Sequence, residues 1–170
     1  MWITLGVILI VCLDQISKYF AAKYLMEVDS VTFVNGLLSF QYHENKGAAW
    51  GMLSEHRWVF MLASVIAILG VFGYLIYCTK KQIKISFLQN LSLTFIVAGG
   101  IANMIDRVRL GYVVDFLRFD FIDFPIFNVA DSFISVGAVL LFIALVSDYI
   151  NDKKHSDSAS KPMAKENDHA

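Results

Sequence analysis

Two uncharged apolar runs joined by a short basic loop constrain the fold of this chain more than any other feature. The runs extend over residues 58–78 and 85–105, which is 21 residues each, and the loop between them contains Lys80, Lys81 and Lys84. A helix needs about 20 predominantly apolar residues to cross a bilayer. We therefore expect two adjacent membrane spans connected by a tight turn.

Residues 2–24 and 128–147 form two further apolar stretches, so we expect an all-α polytopic membrane protein with four transmembrane helices. The chain is 57% hydrophobic, above the roughly 45–50% of soluble domains. The first stretch has no basic start and no Ala-x-Ala site, which argues against a cleaved signal peptide. We expect residues 1–150 to form a single membrane domain and residues 151–170 a disordered polar tail in the cytoplasm.

The charges flanking the spans predict how they are oriented. Basic residues concentrate in cytoplasmic loops, so the lysine-rich loop at 79–84 is expected inside, together with both chain termini. Five basic residues would then lie outside, against this rule: Lys46, Arg57, Arg107, Arg109 and Arg118. We interpret the outside arginines, which lie close to two aspartates, as parts of a functional site.

Two segments are then expected to face outward. In the first, residues 31–34 and 37–42 are strand-like and flank Asn35-Gly36, a strong hairpin signal. In the second, residues 107–127, apolar residues alternate with period two. We predict a small extracytoplasmic β-hairpin or β-cradle from the first segment and an amphipathic segment along the membrane surface from the second.

Asp115 and Asp131 border apolar sequence and are 16 residues apart (131 − 115). A carboxylate close to lipid is costly and therefore suggests a function. Two that meet can share one proton and activate a water, as in aspartic proteases. Asp131, like Ser132, also fits an N-cap of the last helix. Asp115 has no such structural explanation, because its strand face is otherwise apolar.

Asp14 and Lys18 are four residues apart in the first span and share one helix face. One interpretation is an ion pair that allows the helix to enter the membrane. The other is that Asp14 reaches the same site as the two aspartates and orients an arginine there. The two interpretations are compatible. Further along the chain, Asp106 is expected to cap a helix end or to pair with Arg109.

Gly99, Asn103 and Arg107 recur every four residues at the end of the third span. Small residues allow helices to approach closely in membranes, and an amide can hydrogen-bond across the contact. The pattern therefore predicts a packing seam with one polar contact. Alternatively, Arg107 emerges at the outer interface and binds a phosphate or a backbone carbonyl.

Residues 45–51 follow the predicted hairpin and combine two glycines with two alanines. This composition fits a turn back to the membrane, with Trp50 as an interfacial anchor. It also fits a wall of the site, in which Asn45 donates a hydrogen bond to a substrate backbone. Both interpretations stay open at this point.

The sequence gives no reason to expect a metal, a cofactor or nucleic acid. Cys12 and Cys78 lie inside apolar runs, and the four histidines are scattered without a ligand spacing. The formal net charge is −1, which does not favour a nucleic-acid partner.

Five blocks of sequence follow one another along the four spans. The blocks are Asp14-Gln15-Ile16-Ser17-Lys18, Asn45-Lys46-Gly47-Ala48-Ala49-Trp50-Gly51, Gly99 through Asn103 to Asp106-Arg107, Val113-Val114-Asp115-Phe116, and Phe127-Asn128-Val129-Ala130-Asp131. Each block is weak alone, but their order and spacing on four spans are specific. Taken together, they resemble bacterial lipoprotein signal peptidase, also called signal peptidase II, and the resemblance extends from about Trp2 to Asp148.

The resemblance implies a four-helix membrane peptidase with a catalytic aspartate pair, Asp115 and Asp131, near the outer leaflet of the bacterial cytoplasmic membrane. It implies diacylglyceryl-modified prolipoproteins as substrates, cut just before the lipidated cysteine, and inhibition by globomycin. We expect a monomer in contact with membrane lipids. The supporting residues carried over with these blocks are Asp14, Lys18, Asn45, Gly47, Asn103, Arg107 and Asn128.

Two other classes of function remain open from the residues alone. A small transporter coupled to ions or protons could use the same aspartates, although their clustering toward one end of the spans counts against it. A structural membrane subunit could use the polar residues only to join its helices.

Overall fold

The computed structural model describes residues 2–47 and 57–159. These residues form helices at the four predicted places and a small sheet that contains the predicted hairpin. In chain order the elements are α1 (Trp2–Leu25), β1 (Val31–Val34), β2 (Leu38–Asn45), α2 (Arg57–Lys80), α3 (Phe87–Arg109), β3 (Val113–Phe119) and α4 (Val129–Ala159).

Three of the helices contain stretches long and apolar enough to cross a membrane. These stretches are Ile3–Leu25, Phe87–Arg109 and Val129–Asn151, each of 23 residues. The helix α2 has 24 residues, but its described apolar stretch is Leu69–Cys78, shorter than the thickness of a bilayer requires. Membrane crossing by α2 therefore stays a prediction.

The last helix is longer than its apolar stretch predicts. We expected the fourth span to end near residue 147 and a disordered tail to begin at residue 151, whereas α4 continues to Ala159. A polar segment can extend an existing helix because the costly nucleation step has already occurred. Residues 160–170, the remainder of the predicted tail, lie outside the described part of the chain.

Helix α3 begins at Phe87, two residues after the predicted start of the span, and a capping box fixes this start. Gln89 donates its backbone N–H to Ser86 Oγ over 3.2 Å, and Ser86 donates its backbone N–H to Gln89 Oε1 over 2.9 Å. Gln89 also donates its side-chain amide to Asp148 Oδ2 over 2.8 Å. The first turn of α3 is thereby joined to the second half of α4.

Small residues bring α3 and α4 close together along most of their shared length. A Cβ added to Gly99 would lie 2.5 Å from the backbone oxygen of Ala130, and one added to Gly137 would lie 2.9 Å from that of Ser92. Ala98, like Ala130, is fully buried. The predicted packing seam on α3 is therefore present, and it holds the start of α4 against the end of α3.

The three strands form an antiparallel sheet in the order β1-β2-β3. Gly36 in the hairpin turn has φ 70°, a conformation that glycine adopts without steric cost. In the β2–β3 pairing, His43 lies opposite Asp115 and Asn45 opposite Val113. A chain segment remote in sequence thus places the end of the hairpin beside Asp115.

The sheet covers the C-terminal end of α1. Ala21 of α1, Val114 and Phe116 form a buried apolar cluster there. Period-two alternation holds for this side of β3, but Val113 and Asp115 on the opposite side are also buried. Both faces of this end of β3 are covered, because α1 packs on one and Asn128, directly before α4, contacts Asp115 on the other. The predicted position of residues 107–127 along the membrane surface stays a prediction.

Candidate active site

Polar side chains from five elements converge where α3 ends and α4 begins. The chain from Asp115 to Asn128 makes this possible, because Phe127 and Leu117 exchange backbone hydrogen bonds of 3.0 and 2.8 Å. The bridge folds the segment after β3 back onto the strand. It therefore brings the start of α4 beside Asp115.

Asp115 is 1% exposed and its two carboxylate oxygens each accept a hydrogen bond. Asn45, the last residue of β2, donates its side-chain amide to Oδ2 over 2.8 Å. Asn128, directly before α4, donates to Oδ1 over 2.6 Å. Two amides on different elements thus hold the carboxylate in one orientation.

Asp131 lies in the first turn of α4 and also has both oxygens engaged. Asn103 of α3 donates its side-chain amide to Oδ1 over 2.8 Å. The backbone N–H of Asn128 donates to Oδ2 over 3.2 Å, and Asp131 returns its own backbone N–H to Asn128 Oδ1 over 2.9 Å. This reciprocal pair is a capping box.

The prediction that Asp131 or Ser132 is the N-cap residue of α4 is wrong. Asn128 is the N-cap residue, because its side-chain oxygen accepts from the first turn. Ser132 donates its hydroxyl to the backbone oxygen of Asn128 over 3.1 Å. Capping accounts for the hydrogen bond that Asp131 Oδ2 accepts. It does not account for the hydrogen bond from Asn103 to Oδ1.

The side chains of Asn128 and Asn103 connect the two aspartates. Asn128, which is fully buried, shares its amide group between Asp115 and Asn103 Oδ1, the latter at 3.1 Å. Asn103 then donates to Asp131. The two carboxylates thus belong to one hydrogen-bond network, in which a change at either amide reaches both.

The pKa of the Asp115 carboxyl is raised to about 7. Burial is the largest cause, because it disfavours the ionised form, and the negative charge of Asp131 is the second. Hydrogen bonds from Asn45 and Asn128 act in the opposite direction, as does the positive charge of Lys18. Asp131 is therefore close enough to Asp115 to influence its ionisation.

Lys18 lies behind these two aspartates and is 3% exposed. Its ammonium group lies 2.8 Å from Asp14 Oδ2 and 2.8 Å from Asp106 Oδ2. It also donates to Asn103 Oδ1 over 2.8 Å. Because the oxygen of Asn103 faces Lys18, the nitrogen of the same amide faces Asp131.

Asp14 forms the predicted pair with Lys18, and no arginine among the described side chains is paired with it. Its Oδ1 accepts the backbone N–H of Ala130 over 2.8 Å. Ala130 is in the first turn of α4, where backbone N–H groups have no partner within the helix and a negative charge is favourable. Asp14 thus attaches α1 to the start of α4.

Arg107 is half-buried rather than fully emergent. Its guanidinium donates to the backbone oxygen of Asn103 over 3.4 Å, and its charge acts on Asp131, Asp115 and Asp106. This location places a cation beside the aspartate pair. The predicted phosphate or carbonyl ligand of Arg107 stays a prediction.

The loop after β2 is described as far as Gly47. The backbone N–H of Gly47 donates to Asn45 Oδ1 over 3.1 Å, which leaves the nitrogen of that amide for Asp115. The predicted bond from Asn45 to a substrate backbone stays a prediction. Residues 48–51, including the predicted interfacial anchor Trp50, lie outside the described residues.

Asp106 and Gln15 belong to the network but were not among the predicted site residues. Gln15 donates to Asp106 Oδ1 over 2.9 Å, and the backbone N–H of Val114 donates to Asp106 Oδ2 over 3.3 Å. The predicted pairing of Asp106 with Arg109 is wrong, because Arg109 donates to Gln15 Oε1 over 3.3 Å. The available signals are the places of both residues in the quoted sequence blocks and the spacing of Asp106, three residues after Asn103.

The described residues include no group of three or more His, Cys, Asp or Glu side chains that could hold a metal ion. The network is instead built from carboxylates, amides, one buried ammonium and one guanidinium. Such an arrangement can keep one carboxyl protonated and can present another as a base.

Known proteins are similar to this chain over most of its length. The family profile for signal peptidase (SPase) II matches residues 6–147. The lipoprotein signal peptidases of Streptococcus pyogenes serotype M1 and of serotype M5 (strain Manfredo) are each 41% identical over 141 residues, covering 83% of this chain and 90% of theirs.

Two solved structures are also similar, both described as a bacterial membrane enzyme determined by the in meso method. The 2.3 Å structure has a TM-score of 0.77 and 31% identity, covering 99% of this chain and 94% of its own. The 1.9 Å structure has a TM-score of 0.74 and 34% identity, covering 86% and 93%. The profile and the relatives agree with the resemblance seen in the five sequence blocks, and the chain therefore belongs to the signal peptidase II family, a family of peptidases.

Proposed function

We propose that this chain is an aspartyl endopeptidase that removes the signal peptide from diacylglyceryl-modified prolipoproteins by cutting before the lipidated cysteine. The observation that carries the proposal is the joint location of Asp115 and Asp131 in one buried amide network. The substrate class follows from the relatives, which are called lipoprotein signal peptidases. Family membership supports peptide cleavage, and the aspartate pair supplies chemistry for it.

In the proposed reaction the pair holds one proton. The ionised carboxylate takes a proton from a water molecule as the water oxygen attacks the scissile carbonyl carbon. The protonated carboxyl hydrogen-bonds the carbonyl oxygen during the attack. A proton then passes to the amide nitrogen, the C–N bond breaks, and the pair returns to its initial state. The two carboxyls titrate as a unit, so the shared proton belongs to both.

The raised pKa of Asp115, about 7, supports this chemistry because a carboxyl with that pKa can give and take a proton near neutrality. Asn45, Asn103 and Asn128 are proposed to hold the two carboxylates at a fixed separation. Arg107 is proposed to bind a carbonyl or phosphate oxygen of the substrate. Asp14 and Lys18 position Asn103 and α4, and Gly47 positions Asn45.

We propose the bacterial cytoplasmic membrane as the location, with α2 as the fourth span and both termini inside. The lysines of the 79–84 loop support this orientation. The site lies where α3 ends and α4 begins, which is the side remote from the 79–84 loop. In this orientation it lies near the outer leaflet. There water, a peptide and acyl chains can all reach it. Residues 26–50 and 109–124 are proposed to clamp the substrate, and globomycin is expected to compete for the same place.

The decisive test of function is cleavage of a lipidated precursor by the purified protein. The matched control is the same precursor with an unmodified cysteine. Mass spectrometry should find one product whose first residue is the lipidated cysteine, and globomycin should block its formation. Cleavage of both precursors at equal rates would contradict the substrate class, and absence of cleavage would contradict the activity.

The transporter alternative makes a different prediction for the same protein. It requires ion or proton flux in sealed vesicles that depends on Asp115 and Asp131. The site supports a peptidase better, because the network lies at one end of the helices and the gap between α1, α2 and α3 farther along is lined mostly by apolar residues. Flux without precursor cleavage would favour the transporter.

A further inference from the structure

An apolar cavity of about 230 Å³ lies between α1, α2 and α3, away from the aspartate pair. A dry engineered cavity of about 150 Å³ already holds benzene. The cavity is therefore large enough for a hydrocarbon guest. Its walls include Thr4 and Val7 of α1, Val71 and Leu75 of α2, and Leu93 and Val97 of α3.

The cavity is a lateral groove rather than a closed core void. Helices α1 and α2 both pack against α3, but among the described residues they make little contact with each other. The described lining residues come from these three helices, with α3 as the floor. The gap between α1 and α2 therefore opens toward the hydrocarbon that surrounds the helices.

The groove has the length of one membrane leaflet. On α3 its lining extends from Asn90 to Ile101, and these 11 steps correspond to roughly 16 Å at 1.5 Å per residue. Half of a hydrocarbon core of about 30 Å is about 15 Å. On α2 the lining lies in the C-terminal half and on α1 in the N-terminal turns. These ends all lie on the side of the 79–84 loop.

That loop supplies positive charge beyond the end of the groove that Leu75 and Asn90 line. Lys80, Lys81 and Lys84 are all exposed, and residues 79–90 contain no acidic residue. Lys80 is five residues beyond Leu75, roughly 7.5 Å along the helix axis. Basic clusters beside gaps between membrane helices attract anionic headgroups.

We propose that this groove binds one acyl chain of an anionic phospholipid, whose phosphate is held by Lys80, Lys81 and Lys84. The apolar walls take the chain, and the lysines select a negatively charged headgroup over a zwitterionic one. The site is separate from the peptidase centre and goes beyond the proposed function. Only the assignment of the lipid to the cytoplasmic leaflet depends on the proposed orientation of the chain.

Thermal unfolding of the purified full chain in detergent tests the proposal. Phosphatidylglycerol should raise Tm at a concentration at least tenfold lower than phosphatidylcholine with the same acyl chains. The Lys80→Gln, Lys81→Gln, Lys84→Gln triple variant should lose this difference between the two lipids. Equal stabilisation of the wild type by both lipids would overturn the proposal.

Groove-filling variants test the position of the chain. Val71→Trp should abolish the effect of phosphatidylglycerol, whereas Leu69→Trp, on the same helix at a residue that is 63% exposed, should retain it. Thr4→Phe fills the groove from α1 and replaces Val71→Trp if that variant does not fold. Full stabilisation by phosphatidylglycerol in a folded groove-filling variant would overturn the proposal. Because no precursor is present, the result is independent of peptidase activity.

Discussion

Asn128 donates its side-chain amide to Asp115 Oδ1 over 2.6 Å while its own side-chain oxygen caps the helix that begins with Asp131 in its first turn. One residue therefore contacts both members of the aspartate pair. The distance between the carboxylates is set by the start of a helix and by a strand, not by a free loop. Rigid elements of this kind favour precise catalytic geometry.

Replacing Asn128 with Ala should remove both functions of this residue. Loss of the cap is expected to cost about 1 kcal/mol of stability. Loss of the bond to Asp115 should lower the cleavage rate about 100-fold, the effect of a displacement of roughly 1 Å. Thermal unfolding and precursor cleavage measure the two effects. Ser132→Ala, which removes only a hydroxyl bonded to the Asn128 backbone, should cleave nearly as fast as the wild type.

The pH profile of cleavage should reflect the raised pKa of Asp115. In the proposed reaction the active form carries one proton on the pair, and the negative charge of Asp131 helps to raise the pKa of Asp115 to about 7. Loss of the shared proton should therefore reduce kcat/KM as the pH rises through about 7. Asn45→Ala removes a hydrogen bond that lowers this pKa, so its decline should begin at higher pH. An unshifted decline in that variant would contradict the assignment to Asp115.

The same pKa predicts how stability changes with pH. Between the ordinary value of 3.8 and about 7, Asp115 is protonated in the folded chain and ionised in the unfolded chain. The folded state then binds more protons, so this residue makes stability fall as pH rises across that window. The Asp115→Asn side chain cannot ionise. The Tm of this variant, relative to that of the wild type, should therefore increase from pH 4 to 7. A constant difference in Tm would show that Asp115 is not the group concerned.

Lys18→Met should destabilise the chain strongly. The substitution leaves the carboxylates of Asp14 and Asp106 buried without their ammonium partner. Breaking a buried pair from one side costs about 3–5 kcal/mol. Adding Asp106→Asn to Lys18→Met removes one of the uncompensated charges and should recover part of the loss in Tm. A single variant as stable as the wild type would mean that Lys18 does not hold this network together.

Gly99→Ala tests whether the close approach of α3 and α4 sets the site. The added Cβ would lie 2.5 Å from the Ala130 backbone oxygen, so the helices must separate where Asp131 begins its helix. We expect a loss of about 1–3 kcal/mol and a clear fall in cleavage rate. Gly73→Ala in α2, where an added Cβ meets no atom of the described residues within 4 Å, is the matched control and should retain full activity.

The sequence was sufficient to predict the elements because their signals are local. Apolar runs located the helices, and Asn35-Gly36 located the hairpin turn. Exact ends depended on caps, such as Ser86 with Gln89, that periodicity alone does not reveal. The polar residues after 151 predict disorder, whereas α4 extends to Ala159, because a helix can continue through polar residues.

The partners within the site were harder to predict, because they depend on which helices pack together. Spacing correctly paired Asp14 with Lys18 on one helix face. It could not indicate that Asp14 would also meet the backbone of Ala130, 116 residues away. Asp106 was expected to pair with the nearby Arg109 but pairs with Lys18 of α1. Contacts between elements therefore account for most of the differences between the predicted and the observed partners.

Single-turnover cleavage of a lipidated precursor by Asp115→Asn and Asp131→Asn tests the central claim most directly. Each substitution keeps the size of the side chain but removes its ability to ionise. Far-ultraviolet circular dichroism and Tm establish that each variant folds. We predict folded proteins that bind the precursor and give no detectable product. Cleavage at a rate near that of the wild type by either folded variant would contradict the aspartate pair.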